Sequence, residues 1–276
     1  MRIVLGTRDS EARVIEDIVI EITQDVQLKW TSGDPYSVPA SDLRPGDVCV
    51  ECGSPEVQSL RIDHHYPGDT GYDVGASQAF GGSSAGQVLH LLMNTVECRM
   101  PLWDQVTRVS APGLYKIDGR WCAAPADCVA RAVPLRYVRV GEADHALAAF
   151  IAGGCTTSRQ QAIDHYMNGR SMPDVKGIAS RIMAGDQVLP GVYDIRWLPW
   201  FRRIDTMDLY TVGLLAGVGI VSWGASEAPA GARHVKAACT GDGSVPGVMD
   251  VVGLLLDMGC SGVYGSNIRG YAGGVR

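Results

Sequence analysis

The sequence holds 276 residues, 46% of them hydrophobic and 20% charged, which excludes intrinsic disorder because the apolar surface suffices to offset the entropy of folding. Lys and Arg number 24 against 30 Asp and Glu, a net charge of −6, so the chain lacks the basic excess that drives binding along a long nucleic-acid duplex. The 34 glycines and 14 prolines forecast a fold rich in loops.

Arg2–Leu5 reads as a short buried strand. It opens the chain where a secretory leader would carry a basic stretch and an apolar core, and together with eight scattered cysteines it points to reduced thiols and a cytoplasmic protein. Ala12, Ile15, Ile18, Val19 and Ile22 recur at helical spacing with Asp9 or Ser10 as cap, although their β-branched content leaves a strand over 18–22 as the rival. Alternation at Val26, Leu28 and Trp30 predicts a half-buried strand. A turn at Leu43-Arg-Pro-Gly-Asp47 leads to a buried strand at Val48–Val50, and another over Ser59–Ile62 runs into Asp63-His64-His65. Ser83 or Ser84 caps a helix carrying Val88, Leu89, Leu91, Leu92 and Val96.

Residues 101–139 are rich in Pro and Trp and give no clear element. Helices are predicted over 142–151, 159–167, 207–215 and from Ser244-Val-Pro246 to Leu256, with a strand over His234–Cys239 and a glycine-rich tail. The longest apolar stretch, Thr211–Ala225, is too short and glycine-rich for the roughly 20 apolar residues of a membrane span. Cys49 and Cys52 form a C-x-x-C pair, but Cys122 and Cys128 have the wrong spacing to complete a zinc knuckle, so buried packing thiols are expected.

Strands alternating with helices predict an α/β fold: a mostly parallel sheet with helices on both faces over 1–155, and an additional C-terminal α/β region over 156–276. Ligands of such sheets bind beyond the carboxyl ends of the strands. Asp9, Glu51 and the Asp63–His65 triplet each follow a predicted strand, which gathers them at that rim. Adjacent histidines beside a carboxylate suit a metal site: one imidazole ligates while the carboxylate fixes a ring, and the other imidazole is free to meet substrate or donate a proton. No P-loop, G-x-G-x-x-G after a strand or G-x-S-x-G occurs, which argues against nucleoside-triphosphate motors, dinucleotide enzymes and α/β-hydrolases.

Arg61-Ile-Asp63-His64-His65 at a strand end, followed by Gly81-Gly-Ser-Ser-Ala-Gly-Gln-Val-Leu89 entering a helix, resembles the DHH phosphoesterase superfamily. That superfamily includes RecJ-type exonucleases, oligoribonucleases, cyclic-dinucleotide phosphodiesterases and manganese-dependent pyrophosphatases. The resemblance is confined to about the first 150 residues and the glycine-rich tail. It implies two divalent ions, Mn2+ or alternatively Mg2+, with His64 a metal ligand, Asp63 its catalytic neighbour and His65 a catalytic group on the substrate side. The superfamily's D-x-D falls on Asp9-Ser10-Glu11 and its next aspartate on Glu51. Both are departures, because glutamate's extra methylene displaces the carboxylate by roughly an ångström. A later aspartate falls on Asp144, with Asp164 its competitor.

The implied ligands are therefore Asp9, Glu11, Glu51, His64 and Asp144. The tail, Arg269-Gly-Tyr-Ala-Gly273-Gly274-Val-Arg276, resembles the superfamily's glycine-rich substrate loop, which implies phosphate contacts at Arg269, Gly273, Gly274 and Arg276. Arg202-Arg203, after Trp200-Phe201, is a further candidate phosphate clamp. The implied function is metal-dependent hydrolysis of a phosphodiester or phosphoanhydride bond in a nucleotide, short oligonucleotide or pyrophosphate-type substrate. The alternative is a binding or sequestering protein that has kept the fold and lost hydrolysis. The partner is a small phosphorylated molecule in either case, and assembly into an oligomer is left open.

Overall fold

A computed structural model of the chain describes residues 1–6, 8–31, 37–65, 68–72, 74–95, 106–117, 120–167, 172–195, 213, 215, 217–224, 234–238, 247–266 and 270–276. It divides into two compact units, Met1–His145 and Ala146–Arg276, where the sequence placed the boundary after 155.

The first unit is built on four parallel strands, β1 (Arg2–Leu5), β2 (Gln27–Trp30), β3 (Val48–Val50) and β4 (Leu60–Ile62), in the order β2-β1-β3-β4. Side chains alternate across a strand. Ile3, Leu5, Val48, Val50 and Ile62 accordingly enter one core, while Val4 and Cys49 enter another with Val38, Leu43 and Cys52. The first core is closed by α1 (Ser10–Ile22) and α3 (Ser84–Thr95), which pack on each other, and by the start of α4 (Leu135–Ala152) through Tyr137 and Val138. The second face is covered, among the described residues, by the 3₁₀ turn Ala40–Asp42 and its flanks.

The segment 18–22 is helical: Ile15, Ile18, Val19 and Ile22 sit on one stripe of α1 and are buried. Tertiary burial of that stripe overrides the modest helix propensity of β-branched residues. Asp9 caps α1, its Oδ1 accepting from the Ala12 amide at 2.8 Å. A short α2 (Ala79–Gly82) precedes α3, and the hydroxyl of Ser83 between them accepts from the Gly86 amide at 3.2 Å.

Residues 101–139, unassigned from sequence, contain an antiparallel hairpin of β5 (Val106–Ile117) and β6 (Arg120–Pro134), with α4 beginning directly after it. Non-helical backbone interrupts α4 at Ala146.

The second unit carries α5 (Arg159–Met167), α6 (Met172–Met183) and a six-stranded sheet. Its strands are β7 (Asp186–Leu189), β8 (Val192–Asp194), β9 (Gly219–Gly224), β10 (His234–Ala238), β11 (Ser261–Ser266) and β12 (Tyr271–Val275), in the order β11-β12-β10-β9-β8-β7. Only the β8–β9 pair is parallel. Val192, Val221, Val235 and Ala237 pack under α7 (Val248–Asp257) through Val248, Val251 and Leu255. The helix expected over 207–215 falls mostly outside the described residues, as do Arg202, Arg203 and Arg269. No helix among the described residues is long and apolar enough to cross a membrane. The α/β class and the additional C-terminal α/β region are as the sequence predicts.

Candidate metal centre

The chain leaves β1 for β2 on one side and later adds β3 on the other. The carboxyl ends of β1 and β3 therefore flank a switch point, the place where open α/β sheets bind ligands. Asp9 follows β1, Glu51 follows β3 and the Asp63–His65 triplet follows β4.

Glu51 has a left-handed backbone, φ 50°, which costs a non-glycine residue on the order of 1–3 kcal/mol. Gly6 faces it across the sheet: the Gly6 amide donates to the Val50 carbonyl at 3.0 Å, and a Cβ on Gly6 would lie 2.3 Å from the Glu51 carbonyl oxygen. The start of α3 receives two buried carboxylates. Glu51 Oε1 accepts from the Ser84 hydroxyl at 2.9 Å, and Glu11 Oε1 accepts from the Ala85 amide at 3.0 Å.

The triplet is organised by Asp63. Its Oδ1 accepts from the amides of His64 (2.7 Å) and His65 (3.0 Å) and lies 2.8 Å from His65 Nδ1. Its Oδ2 accepts from Arg61 at 2.8 and 3.2 Å, and Arg61 also pairs with Asp69 at 3.4 Å. Gln87 staples the loop to the scaffold, its Nε2 donating to the carbonyls of Asp63 (3.2 Å) and Gly82 (2.8 Å). Gly71 lies so close beneath that a Cβ there would come within 2.7 Å of His64 Cβ. His145 presents its ring edge-on to His64, centroids 5.2 Å apart, with Nε2 3.0 Å from the Val74 carbonyl.

His64 Nε2 lies 3.1 Å from Asp144 Oδ2 and 3.8 Å from Glu51 Oε1. Glu51, His64, His65 and Asp144 each offer one ligand atom, and these atoms all fall within 4.8 Å of one another. Ligands on opposite sides of an ion with bonds of about 2.0–2.4 Å stand roughly 4–5 Å apart, so the four fit around a single divalent cation. Glu11 supplies a second sign: its Oε2 is buried and has no hydrogen-bond partner among the described residues, an arrangement a protein tolerates when a proton or cation neutralises the site.

The electrostatics agree. Burial, then the charges of Asp144 and Glu51, hold the Glu11 carboxyl well above its ordinary range. Burial pushes Glu51 up to about 7, against the opposing charge of His65. Burial and Asp144 push Asp9 up to about 6. Burial would also raise Asp144 and Asp63, but hydrogen bonds and charge from His64 on the first, and from His65 and then Arg61 on the second, hold both below the usual carboxylate range. Against burial, Asp63 and then Glu51 and Asp144 raise His65 to about 9. Carboxylates forced together with so few cations are what a bound metal relieves.

The structure thus brings Glu51, His64, His65 and Asp144 to one point. Asp9 and Glu11 lie within electrostatic reach of Asp144, and Asp63 directly beneath His65. Asp164 instead sits on α5 in the second unit, accepting from Gln160 at 2.8 Å. Gly273 and Gly274 lie inside β12 rather than in an open loop, Gly273 paired with Lys236 and Tyr264 and Gly274 with Val235, and Arg276 is exposed. Ser84 entered the sequence reading only as a cap, while Arg61, Gln87 and His145 escaped it. Adjacency to Asp144 was the one signal for His145. Cys49 and Cys52 are free, buried packing thiols.

Fold and site together define an α/β protein with a histidine–carboxylate cluster suited to a divalent cation. Among known proteins, no family model and no curated sequence matches the chain. A solved structure titled pGpG-specific phosphodiesterase, PggH from Vibrio cholerae, is similar over 100% of this chain and 93% of that one, at 10% identity and a TM-score of 0.41. That degree of likeness by itself assigns neither activity nor substrate. The DHH resemblance rests on the Asp63-His64-His65 motif at the carboxyl end of β4, beside Glu51 and Asp144.

Proposed function

We propose that the chain is a metal-dependent phosphoesterase that hydrolyses a phosphodiester or phosphoanhydride bond in a nucleotide, short oligonucleotide or pyrophosphate-type substrate. The observation that carries this reading is the convergence of Glu51, His64, His65 and Asp144 within 4.8 Å at the switch point of a parallel sheet. A divalent cation held there, Mn2+ or Mg2+, supplies Lewis-acid polarisation of phosphoryl oxygens and a water ionised near neutral pH.

The chain's own residues do the rest. Asp144 and Glu51 offer carboxylate oxygens beside His64 Nε2, and Ser84 fixes the rotamer of Glu51 from α3. Asp9 and Glu11 bring further negative charge to the same side, where a second ion of the pair implied by the motif would sit. Glu11 is tethered by Ala85, so its free oxygen Oε2 is the one directed to that task. Arg269 and Arg276 remain the proposed phosphate contacts of the tail, since the backbone of Gly273 is already paired with β10 and β11 and that of Gly274 with β10. Among the described residues, Cys49, Cys52, Cys155 and Cys260 form no disulfide, which suits a reducing, cytoplasmic compartment.

The test is hydrolysis of bis-(p-nitrophenyl) phosphate, short oligoribonucleotides and pyrophosphate by chelator-stripped protein, with and without added Mn2+. Turnover is expected only with metal and is expected to vanish in His64→Ala. Turnover that survives both chelation and His64→Ala overturns the reading. Nucleotide binding with neither metal uptake nor turnover favours the sequestering alternative.

A further inference from the structure

We infer that His65 is a metal ligand through Nε2, and that Asp63 is its positioning carboxylate rather than a reacting group. The donor set is then two imidazoles, His64 and His65, and two carboxylates, Glu51 and Asp144. This deepens the metal-dependent reading and depends on it.

The argument begins at Asp63. A carboxylate offers about four lone-pair directions, and five donors converge on this one: the His64 and His65 amides and His65 Nδ1 on Oδ1, with two Arg61 nitrogens on Oδ2. No direction is left for a cation or a substrate proton. An ionised carboxylate only accepts, so the hydrogen shared with His65 resides on Nδ1, and a cation bound by this ring takes the place of the proton on Nε2. His65 contributes an atom to the group whose members lie within 4.8 Å of one another, while Nδ1 is committed to Asp63.

A carboxylate bonded to the far nitrogen of a ligating imidazole is the arrangement that orients metal-binding histidines and raises their basicity. His65 also differs from His64 in access. Its side chain is 41% exposed against 1% for His64, so it closes the cluster on the solvent side, where exchangeable positions must lie.

The consequence concerns which cation the site takes. Carboxylates alone suit Mg2+ and Ca2+, whereas imidazole favours later transition metals. Two of each direct the site to Mn2+, Fe2+, Co2+ or Zn2+, and against Mg2+, which keeps several waters and prefers oxygen.

The probe is Co2+ added to the chelator-stripped full chain, read by visible absorption, with Mn2+ affinity from calorimetry on the same samples. The parent should bind Co2+ with ligand-field bands. His65→Gln should alter those bands and weaken Mn2+ binding by more than about tenfold. Asp63→Asn, which keeps the ligand and loses its orienter, should keep the band pattern and weaken binding roughly 10- to 100-fold. Should the variants fail to fold, proton NMR of the Co2+-loaded parent decides: two sets of hyperfine-shifted imidazole resonances are expected, and one set overturns the inference. Unchanged affinity and bands in His65→Gln also overturn it. A parent that takes up neither cation overturns the metal-dependent reading itself, a distinguishable failure.

Discussion

Replacing Ser84 with Ala isolates the contact that holds Glu51 in the cluster. The Ser84 hydroxyl is buried and donates to Glu51 Oε1 at 2.9 Å, and Glu51 is itself buried. A hydrogen bond to a charged group in such a setting contributes about 1.5–3 kcal/mol. At about 1.4 kcal/mol per decade that corresponds to roughly a 10- to 100-fold weaker Kd for Mn2+, if the contact is made chiefly in the metal-bound, ionised state. The loss should also depend on pH. Without its donor, the Glu51 carboxyl rises further above about 7, so protons compete with the cation more strongly at pH 6 than at pH 8. Calorimetric titration of chelator-stripped protein at the two pH values measures both effects. An affinity within twofold of the parent at pH 6, or a larger loss at pH 8, would refute the positioning role of Ser84.

The metal-free protein should lose stability as pH rises. Glu51 and Asp9 have folded-state values of about 7 and about 6 against ordinary values of 4.5 and 3.8, so the native state binds the extra protons and unfolding becomes easier as they leave between about pH 4 and 7. Thermal melts across that range, with and without saturating Mn2+, should show a falling midpoint that the cation restores; a rising midpoint without metal contradicts the assignment. Asp47→Ala removes the buried acceptor of Arg2 and of the Arg44 amide and should lower the unfolding free energy by about 3 kcal/mol in urea, with Mn2+ affinity unchanged. Gly6→Ala should cost about 2 kcal/mol or more, because its Cβ would meet the Glu51 carbonyl at 2.3 Å; here Mn2+ binding should weaken as well, since the displaced group is the backbone of a ligand.

The sheet was legible where short apolar runs end in turn residues, as at Val48–Val50 before Glu51 and Leu60–Ile62 before Asp63. It was legible in α1 only through the spacing of Ile15, Ile18 and Ile22, because composition alone allowed a strand. The hairpin 106–134 was not legible: prolines and a register shift between Ala111 and Gly113 break the alternation that marks a strand. The tail misled for a related reason, since its glycines read as an open loop while β10 and β11 pair with it on both sides. Within the site, strand ends located Glu51 and His64, and the motif located Asp144. The supports, Ser84, Gln87 and Arg61, stand inside the segments that carry the resemblance, but nothing local marks which buried group each one meets. A hydroxyl at the start of a helix looks the same in sequence whether it meets water or a buried glutamate 33 positions earlier.

The placement of β12 between β10 and β11 bears on biogenesis. The parallel sheet of the first unit is complete once residue 62 has emerged from the ribosome, so it can form while synthesis continues. The second sheet cannot: one of its interior strands is residues 271–275, and until that stretch is made the flanks of β10 and β11 are unpaired edges. The nascent chain therefore passes through an interval in which one half is folded and the other presents open strand edges, the condition in which edge-to-edge association begins. Shortening the chain by its final strand would make that interval permanent.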